Sequence, residues 1–191
     1  MISEIVRKCR SYRRFFQDVP VAQDDLLEMV DNARLSASAR NAQSLKYIVA
    51  NEADMNDKIF SCLAWAGYLK DWNGPEKGEQ PSAYIIMLND TDISTNYWCD
   101  HGIAAQSILL TAVEKGLGGC IIGSVKREML RHILFISEQY EIVQVIAIGK
   151  PKEEVRLDPL GSEGDIKYWR DAEQVHHVPK RSLEDIVLNF K

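Results

Sequence analysis

"YWCDHGIAAQSILLTAVEKGLGGCIIGSV", Tyr97 to Val125, decides the fold. In its first two thirds Ile103, Ala104, Ile108, Leu109, Ala112 and Val113 recur near a 3.6-residue period. That wide apolar stripe predicts the central core helix, with Gly116 as its stop. A glycine-rich turn then opens the strand "GGCIIGSV". The order helix, glycines, strand is the reverse of the dinucleotide fingerprint, which needs strand, glycines, helix. A doubly wound nucleotide-binding sheet is therefore not the reading. Gly116 is explained as a helix cap, whereas Gly118 and Gly119 leave backbone N–H groups able to approach a flat ligand closely.

Outward from this stretch, "SAYIIMLN" is a continuous apolar run of strand length, which predicts a strand buried on both faces, and "EIVQVIAIGKP" reads as another buried strand ending at Gly-Lys-Pro. "KREMLRHILFI" is amphipathic, as is "DDLLEMVDNARLSA" after Pro20, and both read as helices. "KYIVANE" reads as a short strand, and Asp54 to Trp65 as a helix with Met55, Ile59, Phe60 and Leu63 on one face. Glu4 to Cys9 forms a helical turn. The segment from Gly67 to Pro81 is rich in turn formers and reads as a mobile loop or lid. From Lys152 to Pro179 the chain is polar and reads as an extended excursion outside the core. "SLEDIVLNF" closes it as a helix, with Ser182 as N-cap and Asp185 completing a capping box. The whole is one domain, 1–191, of the α+β class.

With 191 residues, 46% apolar and 27% charged, the chain has enough material for a single full core. A net charge of −5 argues against a nucleic-acid binder, so any basic site must be local. No apolar run approaches bilayer length, and the opening residues lack a leader's apolar stretch. Cys9, Cys62, Cys99 and Cys120 have no metal-ligand spacing, which fits reduced thiols in the cytoplasm. His176 and His177 read as a surface pair rather than a metal site.

Against that acidic background, "RKCRSYRRFF" packs Arg7, Lys8, Arg10, Arg13 and Arg14 around Ser11, and "VPKRSLED" puts Lys180 and Arg181 before the last helix. A phosphate monoester wants such donors converging on it, and Arg supplies a planar fork. The loop "SARNAQS" offers Ser38, Arg40, Asn41 and Gln43, whose side chains can read a heterocycle edge or a polyol, though turn chemistry also accounts for them. No nucleophile–base pair, paired carboxylates or phosphate loop can be placed, and Asp100-His101 reads as an ordinary helix start. Chemistry without visible acid–base machinery belongs to a cofactor.

In this order the motifs resemble the FMN-dependent nitroreductase family. "RSYRRF" is similar to its Arg-Ser-x-Arg-x-Phe element, "SARNAQS" to its Ser-Ala-x-Asn-x-Gln loop, "EKGLGGCIIG" to its Gly-Leu-Gly turn, "IVQVIAIGKP" to its strand ending Gly-x-Pro, and "PKRSLEDIV" to its terminal Lys-Arg helix. Cys9 stands where that family often has a further Arg, and "QSLKY" replaces its usual Gln-Pro-Trp.

The resemblance implies a three-layer α/β/α sandwich with a mixed, mainly antiparallel central sheet, in an intertwined homodimer with FMN at the interface. It implies that Arg10, Ser11 and Arg13 hold the FMN phosphate or ribityl chain and that Lys180 and Arg181 reach the same phosphate. Ser38, Arg40, Asn41 and Gln43 would meet the flavin from the partner subunit, and Gly118, Gly119 and Cys120 would pass along the ring near N5. The implied activity is transfer of electrons from NADH or NADPH to nitroaromatics, quinones or similar small acceptors by a ping-pong cycle. Dehalogenation, ene reduction and non-catalytic FMN binding are the alternatives.

Overall fold

A computed structural model of the chain describes residues 1–188. At its centre lies β3 (Ala83–Asp90), every residue of which is buried. It pairs on one side with β2 (Leu45–Ala50) and on the other with β5 (Tyr140–Pro151). The outer edge of β5 carries both β4 (Gly118–Ile122) and β1 (Phe15–Phe16). All four pairings are antiparallel.

Successive side chains of a strand point to opposite faces, so the apolar runs supply two cores. On one face Ile85, Met87, Ile146 and Ile148 pack against Leu26 and Met29 of α2 (Gln23–Arg34) and Ala104, Ala105, Ile108 and Leu109 of α4 (Asp100–Glu114). On the other, Tyr84, Ile86, Val145 and Ala147 meet Ile59 of α3 (Ala53–Phe60) and Leu130 of α5 (Arg127–Leu134). The sheet is thus the middle of three layers. A run with no polar alternation is what a strand covered on both sides requires.

Helix α4 stops where expected: Gly116 takes φ +70°, and the Leu117 N–H donates to the Ala112 carbonyl. Helix α3 stops earlier than its periodicity predicts. After Phe60 the chain turns so that Leu63 bridges to Val125 and the Ala64 N–H donates to Ser124 O at 3.0 Å, which tucks Trp65 against Phe60. The segment from 67 to 81 contains no helix or strand, but its second half is pinned. Glu79 takes Arg14, and Gln17 Oε1 accepts from the Gly78 N–H.

Two expectations are corrected. The polar stretch after Lys152 is a second, three-stranded sheet, with β6 (Val155–Pro159) parallel to β8 (His176–Lys180) and β7 (Trp169–Arg170) antiparallel to it. And His176 and His177, expected at the surface, are both buried on β8. Charge pairs rather than apolar alternation hold this sheet, which is why hydropathy concealed it. Asp158 and Asp171 both bond His177, while Glu153 bonds Arg170. Beyond it, α6 (Leu183–Ile186) has the expected capping box between Ser182 and Asp185. Asn189 and Phe190, to which that helix was expected to run, lie outside the described residues.

Candidate functional site

The basic residues from the two ends of the chain meet. A cavity of about 330 Å³ is lined by Arg10, Ser11 and Arg13 and by Lys180, together with Cys9, Gln106, Leu109, Ile121, Tyr168, His176 and Val178. No carboxylate stands in that lining. The N-terminal side is delivered by the segment after α1 (Ile2–Lys8), which crosses the free edge of β4: Ser11 bridges to Gly119, and the Tyr12 N–H donates to the Gly119 carbonyl at 3.0 Å. Lys180 arrives on β8, where residues two apart share a face. His176, Val178 and Lys180 therefore line the cavity together.

Arg13 is held from several directions. Its Nη1 donates to Ser11 O and to His176 Nε2, both at 3.1 Å, and its guanidinium lies 4.7 Å from the Tyr168 ring centroid. Its backbone N–H donates to the Glu153 carboxylate, which also accepts from Arg170 Nη2 at 3.0 Å. The Glu153 side chain is fully buried, and Arg170 in turn lies over Trp72. Burial, with Arg13, Arg170 and His177 nearby, pushes His176 down to about 4. At neutral pH it is thus an uncharged acceptor. Arg10 gives one N–H to Val6 O, while its Nε is buried with no partner among the described residues.

Arg13 and Ile121 also border a smaller recess of about 130 Å³ floored by Cys120, Ile122, Gly123 and Ser124 and walled by Trp65. Burial pushes the Cys120 thiol up, away from thiolate character. Gly118 and Gly119 line neither space. A side chain at Gly118 would strike the Tyr12 ring at 2.6 Å, and one at Gly119 would run into the Ala147 carbonyl. Their smallness serves protein packing.

The other predicted set lies apart. Ser38 and Gln43 border a different cavity, of about 360 Å³, between α2, β2 and the start of α4. There Arg40, Asn41 and Gln43 all have positive φ (55°, 53° and 53°), an uncommon conformation for side-chain-bearing residues. Asp100 fixes this loop, accepting from Ser38 Oγ at 2.7 Å and from the Ala39 N–H at 2.9 Å. Arg40 reaches toward Trp98, and Arg181 is exposed outside all three spaces. Within one chain, then, Arg10, Ser11, Arg13 and Lys180 converge, with Cys120 next door, while the loop set faces elsewhere.

Sequence reasoning missed Tyr168, His176 and Gln106. The period-two relation of His176 to Lys180 was the available signal, hidden because the segment was not read as a strand.

A cavity whose polar lining includes three cations, with a buried guanidinium N–H unpaired, fits a terminal phosphate. No group of residues among those described is arranged to hold a metal ion, and no helix among them is long and apolar enough to cross a membrane.

Comparison with known proteins gives the same direction. The chain is 25% identical over 195 residues to MhqN of Bacillus subtilis, provisionally named an NAD(P)H nitroreductase, covering 81% of this chain and 90% of that one. A second relative, from Archaeoglobus fulgidus and provisionally named an NADH dehydrogenase/NAD(P)H nitroreductase, is 28% identical over 149 residues, 74% of this chain and 80% of its own. Among solved structures, an FMN-dependent nitroreductase from Clostridium difficile superposes with a TM-score of 0.66 at 25% identity, covering 81% of this chain and 89% of that one. The profile of the nitroreductase family matches residues 6–150, more than half of the sequence, and the chain belongs to that family.

Proposed function

We propose that the protein is an FMN-dependent oxidoreductase that passes electrons from NADH or NADPH to a small acceptor, a nitroaromatic or quinone in kind, by a ping-pong cycle. The convergence of Arg10, Ser11, Arg13 and Lys180 on one cavity free of carboxylates carries this reading. FMN, when bound, supplies the ring that takes up hydride and gives up electrons.

The chain's own residues do the placing. Arg10 and Arg13 grip the phosphate through charge-assisted hydrogen bonds, Ser11 adds a hydroxyl and Lys180 a point charge. The recess floored by Ile122, Gly123 and Ser124, which shares Arg13 and Ile121 with the phosphate cavity, accepts the flat end of the ligand. Cys120 lies in its floor as a neutral thiol.

The working unit is a homodimer. Ser38 and Gln43 border a cavity away from their own chain's anion cavity, and Arg40 and Asn41 lie on the same loop, so the four serve the flavin of the partner subunit. Ile2, Leu183, Ile186 and Leu188 are each more than 60% exposed, apolar surface at both ends that a second copy would cover. The reaction proceeds in solution rather than within a bilayer.

The visible spectrum tests this directly. The purified protein should show flavin absorbance, alone or after FMN is added, and should bleach with NADH or NADPH in the absence of oxygen. A protein that stays colourless with added FMN overturns the proposal. One that binds FMN but oxidises neither nucleotide with any acceptor is a flavin-binding protein without the activity.

A further inference from the structure

The flavin reading assigns the cations but not what aims them. Arg13 carries five N–H donors in a rigid plane. One arm is committed: Nη1 donates to Ser11 O and to His176 Nε2. The guanidinium carbon sits over the Tyr168 ring, 4.7 Å from its centroid, a second contact that holds the group in place. Among the described residues Nε and Nη2 make no protein hydrogen bond, and together they form the two-pronged edge that matches two oxygens of one phosphate. His176 itself is 0% exposed, lines the same cavity, and leaves its Nδ1 buried without a partner. A nitrogen that accepts from Arg13 cannot carry the ring proton, so that proton sits on Nδ1.

We propose that His176 is the positioning residue of the anion site: as a neutral acceptor it holds Nη1 of Arg13 and leaves the Nε/Nη2 edge for two oxygens of a terminal phosphate. The inference rests on the flavin-phosphate reading for its natural ligand, but not for its geometry. A protonated ring would have no lone pair for Arg13 and would face a like charge. The groups around it set that balance. Arg13 and Arg170 are cationic neighbours, His177 is the adjoining ring, and the Tyr168 ring lies tilted against it at 5.1 Å between centroids. The Glu153 carboxylate is tied to the Arg13 amide and Arg170. Desolvation and the cations keep the ring neutral down to a pH of about 4.

The test combines ring NMR on the full chain with binding of FMN, riboflavin and inorganic phosphate at pH 7 to wild type, His176→Leu and His176→Gln. Leu removes the acceptor, whereas Gln retains an amide oxygen. Phosphate-bearing ligands should bind His176→Leu about tenfold or more weakly, as expected for losing an aimed, charged hydrogen bond. His176→Gln should recover most of that loss, and riboflavin affinity should be unchanged in both. In the wild type the ring nitrogen shifts should report a neutral ring protonated on Nδ1 at pH 6. Equal phosphate and FMN binding by wild type and His176→Leu overturns the proposal, as does a charged or Nε2-protonated ring. So does a parallel loss of riboflavin, which marks a general structural defect. If flavins fail to bind the wild type but phosphate binds with the predicted variant pattern, the positioning role stands and the flavin reading falls. If the wild type binds neither, both fall.

Discussion

Glu79 receives Arg14 side-on: Nε donates to Oε2 at 2.5 Å and Nη2 to Oε1 at 2.6 Å, with both side chains less than a fifth exposed. Lys152 adds a third contact at 3.0 Å. One carboxylate therefore ties the basic N-terminal strand to the irregular segment and to the end of β5. Its pKa falls to about 2, chiefly through Arg14. A depressed carboxylate stabilises the fold above its ordinary value and loses that contribution as pH falls through the folded value. Glu79→Gln should cost about 1–3 kcal/mol at neutral pH. In urea titrations the gap between variant and wild type should close as pH approaches 2. A gap independent of pH would contradict this.

Replacing Arg10 and Arg13 together with Ala removes two of the cations from the anion cavity. FMN retention should fall by roughly a hundredfold or more, since several charged hydrogen bonds are lost. Equilibrium dialysis measures it. Unchanged retention would remove these residues from the site.

Asp100 holds the Ser38–Gln43 loop in its left-handed conformations. Asp100→Ala should destabilise by about 1–3 kcal/mol, because the half-buried Ser38 hydroxyl and Ala39 N–H lose their acceptor. Hydrogen exchange should quicken at residues 38–43 before it does in β3. Uniform quickening would show that Asp100 supports the core instead.

The two kinds of glycine in the stretch from Gly116 to Gly123 should respond oppositely. Gly119→Ala drives a methyl into the Ala147 carbonyl and the Leu109 side chain and should cost about 3 kcal/mol or prevent folding. Gly123→Ala meets nothing within 4 Å and should fold normally. Similar denaturation midpoints for the two would refute the packing account.

His177 is bonded by Asp158 at 2.6 Å and Asp171 at 3.1 Å and stacks on Trp169 at 4.1 Å. Asp171 and then Asp158 raise its pKa above 6.5. A raised histidine contributes fully below its ordinary value and loses that contribution as pH rises through the folded one. Proteolysis between residues 155 and 180 should therefore accelerate on going well above pH 6.5, and His177→Gln should remove that dependence. A wild-type rate independent of pH would count against the charged clamp.

Much of the main sheet was legible because its physics is local. β3 has an unbroken apolar run, β5 has one from Ile142 through Ile148 interrupted only by Gln144, and α4 has a wide stripe and a glycine stop. The meeting of Arg10 and Arg13 with Lys180 was legible only through the order of motifs, since no local property of either end implies the other. What stayed hidden was held by charge. "VHHVPK" shows no apolar alternation and "VRLDP" only two alternating apolar residues, and Tyr168 and His176 were lost with them. The glycines at 118 and 119 were read as room for a ligand. They are room for Tyr12 and Ala147, a distinction that depends on neighbours remote in sequence.

β8 carries two chemically identical rings side by side, and only the pleat tells them apart. One turns inward to accept from a guanidinium, and the next turns the other way to meet two acids that favour its protonated form. A slip of a single residue against β6 would exchange them, presenting a proton-loving site to the phosphate cavity and dragging Lys180 off its face. The pairing of five residues with five thus selects the sign of charge offered to the ligand, in a segment whose composition gives no hint of it.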